Sequence, residues 1–278
     1  MRLVTFAHLA TFALATSTTV LTGCQKDEGT AAEAKEAVSE SSVDSQSAAL
    51  TGSSVEIGTS FTIGKAAKDA AGELRTFVET QMPCADVSLA DATVTIVYGA
   101  KAGNCTYRGH TFSGKHTIAI SKNEEAQVVV DHTWTDLSNG KVKLTGTAKV
   151  TWDLDDKSRQ VDHDVTWTRI KDGRTGHGTG SRTQTPLAGG LGEGFKVEGT
   201  RSWTGERGRF DVSIEGVEWR SQDPVPQAGR YVVATPKGKT ITLSFARVDE
   251  DTIEVTIAGP KRDFTFRVNS EGDVGGEG

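Results

Sequence analysis

Thirteen consecutive residues, Lys141 to Asp153, alternate in character without a break. Val142, Leu144, Gly146, Ala148, Val150 and Trp152 share one parity; lysines, threonines and Asp153 fill the other. Successive side chains of a strand point to opposite faces, so this stretch is a β-strand with one dry and one wet face. A strand of that kind needs partners with the same alternation, and the chain supplies them on both sides. The fold class expected is mainly all-β. It is a large antiparallel β-meander, forming an open curved sheet or a partial barrel or sandwich, with one N-terminal amphipathic helix packed on it.

The flanking turns give expected registers. A three-residue loop at 122–124 would pair Ile118 with Val128 and His116 with Val130. The loop Ser138-Asn139-Gly140 would pair Trp134 with Leu144 and His132 with Gly146. A four-residue loop at 155–158 would pair Trp152 with Val161, Val150 with His163 and Gly146 with Trp167. The dipeptide Asp172-Gly173 reads as a two-residue hairpin, pairing Trp167 with Gly178 and Val165 with Gly180. Each pairing sets apolar opposite apolar, as a half-buried sheet requires. It also lays Trp167 between Gly146 and Gly178. Mid-strand glycine weakens a strand unless something needs the room. Either the indole lies across neighbouring backbones, or the space is a ligand groove. Trp134 and Trp167 are therefore candidate binding residues.

A weak repeat runs through the same region. His132-Thr-Trp-Thr, Val165-Thr-Trp-Thr and Arg201-Ser-Trp-Thr recur 33 and 36 residues apart, the period of a hairpin of long strands. Parity breaks at Gly216, which reads as a bulge. Asp223-Pro-Val-Pro reads as a break between sheet sections, with residues 55–222 before it and a C-terminal meander over 223–270 that either continues the sheet or packs on it and whose last hairpin turns at Gly259-Pro260. Residues 271–278 carry no core side chain and read as a disordered tail.

Ahead of the sheet, Gly64 to Met82 is the one helix expected. Ala67, Ala70, Ala71, Leu74, Phe77, Val78 and Met82 form a single apolar stripe, and Pro83 ends it. Its polar face is not strongly basic, so it packs on the sheet rather than on a membrane. From residue 24 to 54 the chain is rich in Ala, Ser, Glu and Thr and reads as a flexible tether.

At the N-terminus, Arg2 precedes a mostly apolar run, Leu3 to Ala15, too short and too Thr-rich for a membrane span; it reads as a signal peptide. It leads to Leu21-Thr22-Gly23-Cys24, which resembles the lipobox of bacterial lipoproteins. The resemblance covers residues 1–24 of 278. It implies that the Cys24 thiol is diacylated and residues 1–23 are then removed, giving a stable anchor at about 0.8 kcal/mol per buried CH₂. Gln25 stands where Asp would favour inner-membrane retention in that family, so outer-membrane sorting is implied. Such a compartment is oxidising, so Cys84 and Cys105 are expected to pair. Closing that loop is worth about 3 kcal/mol on the chain-entropy model.

Net charge is −6, and Lys and Arg are spread along the strands rather than clustered, which excludes a nucleic-acid reading. Gly at 31 residues and aromatics at 6% fit turn-rich β structure. His116, His132 and His163 sit on the apolar parity. His116 and His132 fall one diagonal step apart on adjacent strands, and both are candidate binding residues. His163 falls roughly 16 Å from His132, too far for one zinc ion to bridge. No nucleophile elbow, phosphate loop or metal-ligand run occurs, and no cofactor is expected. The leading expectation is a non-enzymatic, lipid-anchored outer-membrane lipoprotein whose β domain serves binding or structure. Its membrane partner is engaged through acyl chains. The alternatives are a carrier of an apolar ligand on the concave face, which needs a dry cavity along Trp134, Leu144, Trp152 and Trp167, and a hydrolase.

Overall fold

The structure, a computed structural model, describes residues 46–278 apart from 108, 156, 221, 222, 224, 259–262, 270–273 and 276–278. The signal segment, Cys24, the tether up to residue 45 and the Gly259-Pro260 turn lie outside the described residues.

One antiparallel sheet dominates. It opens with β1 (Asp86–Ala90) and β2 (Thr93–Tyr98). A small separate hairpin follows, β3 (Thr106–Tyr107) with β4 (His110–Thr111). The long strands are β5 (Ser113–Lys122), β6 (Val128–Ser138), β7 (Val142–Asp153), β8 (Ser158–Arg169), β9 (Thr175–Leu187), β10 (Gly190–Gly205) and β11 (Gly208–Arg220). The sheet closes its order with β12 (Ala228–Ala234), β13 (Thr240–Arg247), β14 (Thr252–Ile257), β15 (Phe264–Asn269) and β16 (Val274–Gly275). Apart from β3 and β4, every strand pairs with its sequence neighbours, giving a 14-stranded meander whose ends, β1 and β16, do not meet. The sheet is open, not a closed barrel.

The alternation that organises the sequence organises the burial. In β7 the apolar parity is inside, with Val142, Leu144, Ala148, Val150 and Trp152 all buried, and the lysines are exposed. Helix α2 (Ala67–Gln81) buries Ala70, Ala71, Leu74 and Val78 against β1, β2 and β5. The Cys84–Cys105 disulfide joins the end of α2 to the segment after β2, with Cα atoms 5.3 Å apart.

Four expectations are corrected or narrowed. First, residues 46–58 form a helix, α1, where a tether was expected up to 54. Leu50, Val55 and Ile57 are buried, and so are Ser47, Thr51, Ser53 and Ser54. These hydroxyls return to their own helix: Thr51 donates to the Ser47 carbonyl at 2.9 Å, Ser53 to Leu50 at 3.1 Å and Ser54 to Thr51 at 2.9 Å. A buried face satisfied internally carries little apolar signature, so composition reads it as unstructured.

Second, the hairpin registers move, each by an even number of residues along most of its length. Ile118 pairs with His132 and His116 with Trp134. Trp134 pairs with Gly146 and His132 with Ala148. Val150 pairs with Val161 and Ala148 with His163. Trp167 pairs with Gly176 and Val165 with Gly178. The causes are local. The β5–β6 connection is a longer loop closed by Asn123, whose side-chain oxygen accepts from the Glu125 and Gln127 amides at 3.1 and 2.9 Å. A bulge near Asp136, at φ 50°, lets Gly114 approach its backbone. Outside the bulge at Asp136, even shifts leave the side chains on their expected faces.

Third, of the two placements open to residues 223–270 the chain takes continuation of the sheet, since β12 pairs directly with β11 across Asp223-Pro-Val-Pro. The bulge at Gly216 is present, as a register shift beside a residue at φ 58°. Fourth, the tail is not wholly without structure: Val274 pairs with Val268.

Candidate functional site

Two places concentrate polar chemistry, one on each face of the sheet. On the inner face, His116 on β5 and His132 on β6 are diagonal neighbours, as expected, although the register behind that relation is different. Nε2 of His116 lies 2.9 Å from Nδ1 of His132, so one nitrogen donates to the other. The rings stack at 5.2 Å, and Trp134 lies 5.7–5.8 Å from both. The end of α1 covers them. A Cβ on Gly58 would fall 2.4 Å from the His132 ring, which is why glycine stands there. Both imidazoles are fully buried, and burial drives both pKa values down, His132 to about 3 and His116 well below its ordinary value. They are neutral, sealed from solvent and structural. His116 Nδ1 and His132 Nε2 have no partner among the described residues.

His163 is closer to this pair than expected. It shares a row with His132 across Ala148, so two strand spacings, roughly 10 Å, separate them rather than 16 Å. Its ring leans the other way, over Gly180, where an added Cβ would sit 2.3 Å from Cε1. Burial, then Arg182 and Arg201, lower its pKa to about 3. Among the described residues no cluster of three metal-ligating side chains forms. His177 is exposed on the other face, opposite Thr166 and 2.8 Å from Asp164.

Trp167 has a glycine beside it, but the partners are Leu144 and Gly176, not Gly146 and Gly178. A Cβ on Gly176 would lie 2.4 Å from the indole Cζ2. Gly146 answers a different need: at φ 152° a Cβ there would meet the Asp164 carbonyl at 2.2 Å. Trp134, Leu144, Trp152 and Trp167 are all closely packed and at most 5% exposed.

Sequence reading missed three buried arginines on consecutive strands: Arg159 on β8, Arg182 on β9 and Arg201 on β10. Their parity carried the signal, because each shares its strand's inward face. Arg159 lies 4.1 Å over Phe195 and 5.1 Å over Trp152, donates to Gln184 at 2.7 Å and pairs with Glu56 of α1. It fixes the helix to the sheet. Arg201 sits 5.0 Å over the Tyr231 ring.

The second place is a groove of about 720 Å³ on the outer face of β9–β13. Two rows of side chains run across it. One is Thr179, Ser202, Asp211, Ala234 and Thr240, each paired with the next. The other is Ser181, Thr200, Ser213 and Val232. Thr179 and Ser202 share a hydrogen bond of 3.0 Å, and Arg209 pairs with Asp211 at 2.8 Å. None of the sequence-predicted candidates Trp134, Trp167, His116 and His132 lines this groove.

In comparisons with protein families, curated proteins and solved structures, none matches this chain.

Proposed function

We propose that this chain is a lipid-anchored lipoprotein of the outer membrane whose β domain binds a partner rather than catalysing a reaction. The observation that carries the reading is the pairing of an N-terminal Leu21-Thr22-Gly23-Cys24 with a Cys84–Cys105 disulfide in the folded domain. Acylation at Cys24 and oxidation at Cys84 and Cys105 both belong to an exported protein. The inner-face histidines support a binding module over a hydrolase, because they are buried away from any substrate and held neutral. The close packing of the four inner-face residues named for an apolar cavity argues against the carrier reading. The experiment is fractionation. Cys24→Ser should move the protein from carbonate-washed membranes to the soluble fraction, and unchanged partitioning would overturn the anchor.

A further inference from the structure

We infer that the outer-face groove across β9–β13 is a binding site for a neutral, hydroxyl-rich saccharide. The inference deepens the binding-module reading and rests on it. The groove spans five adjacent strands, so it is roughly 19 Å long, with its two rows roughly 7 Å apart. It can seat a short run of a linear polymer, and its volume lies in the range of built ligand sites.

Its chemistry removes the other occupants in turn. A peptide strand binds a sheet through backbone groups at an edge. Here the strands are interior, and their backbones pair with each other on both sides. An anion or nucleic acid needs net positive charge, and the one outward-facing arginine lining the groove, Arg209, is neutralised bidentately by Asp211. An acyl chain needs a continuous dry wall, whereas the hydroxyls of Thr179, Ser181, Thr200, Ser202 and Ser213 interrupt the outward surface along both rows. A saccharide offers what remains. Its hydroxyls both donate and accept, matching Ser and Thr hydroxyls, while Asp211 accepts and Arg209 donates. Its C–H faces fit the strip formed by Val232 and Ala234 at the far side of the same groove.

Exposed strands favour threonine for conformational reasons alone, so the test compares hydroxyls inside the groove with hydroxyls outside it. The full chain is titrated calorimetrically with three neutral probes: a soluble mannan, chitin oligosaccharides and a soluble β-glucan. At least one is expected to bind saturably. Thr200→Val with Asp211→Asn should weaken that binding roughly tenfold, the loss of one or two hydrogen bonds. Thr147→Val with Thr166→Val, on the same face outside the groove, should leave it unchanged. If Asp211→Asn lowers the melting temperature, Thr200→Val alone decides. Failure of all three probes to bind overturns the saccharide site, and so does groove-variant binding equal to wild type. The binding is measured without membranes, so it is independent of Cys24→Ser fractionation, and the anchor and the site can fail separately.

Discussion

The two ends of the sheet solve burial in different ways. In β12–β15 the inner face is Val233, Ile241, Leu243, Phe245, Ile253, Val255 and Ile257, with Tyr231 at its margin. Carbon packs on carbon, and each strand is six to eight residues long. In β5–β10 the inner face carries His116, His132, His163, Arg159, Arg182 and Arg201 among its tryptophans. No histidine follows residue 177. Polar groups in a core must be paired to be tolerated. This half accordingly needs α1 for Glu56, Gly58 and Gly180 for imidazoles, and Gly176 for an indole. The lesson is that one meander can join an apolar half that tolerates substitution to a polar half that depends on particular partners.

Acid should separate the halves most. An imidazole whose folded pKa is held below its unfolded 6.5 binds its proton only when the chain opens. The stability it contributes is complete above pH 6.5 and is lost as pH falls from there toward about 3. Below 6.5 each of His132 and His163 removes about 1.4 kcal/mol per pH unit, roughly 5 kcal/mol together by pH 4.5. Hydrogen exchange followed by mass spectrometry should show β5–β8 opening first while β12–β15 stays protected. Loss that starts in β12–β15 would break the comparison.

Arg159→Met comes next. It strands Glu56 beneath α1 without its cation and should cost roughly 3–5 kcal/mol in urea melts. Arg267→Met removes an exposed arginine, 3.9 Å from Glu254 in the other half, and should change stability by less than about 0.5 kcal/mol. Similar costs for the two would mean that Arg159 does not hold the helix.

The smallest effect sharpens the packing argument. Gly176→Val drives a side chain into the Trp167 ring and should cost about 1–3 kcal/mol. Combined with Trp167→Ala its cost should shrink, because the valine enters vacated space. Strict additivity would mean that the two residues do not touch.

What the sequence made legible follows from the same physics. Which face each residue takes depends only on parity, and parity survived at Val142, Leu144, Val150 and Trp152 and at the three inner histidines. Register depends on how each turn closes. That was decided by Asn123, by the bulge at Asp136 and by the four-residue turn between Asp153 and Ser158, none of which alternation can report. Helix α1 stayed hidden because Thr51, Ser53 and Ser54 satisfy their hydroxyls on their own carbonyls. A glycine does stand beside Trp167, but the register differs by two residues and places Gly176 there instead of Gly178. The groove escaped notice because a serine or threonine on a wet face is unremarkable until the twist of neighbouring strands gathers several together.

The topology has a mechanical consequence. In a sheet where each strand touches only the strands before and after it, order can be lost one strand at a time from an end. The two ends are not alike. At β1, α2 lies across the first strands and the Cys84–Cys105 bond ties that helix's end to the segment after β2. At β16, a two-residue strand is the last one described. Under load or denaturant this sheet should peel like tape fixed at one end, releasing β16, then β15, then β14. The strands around α1 would hold until the chain gives way as a whole.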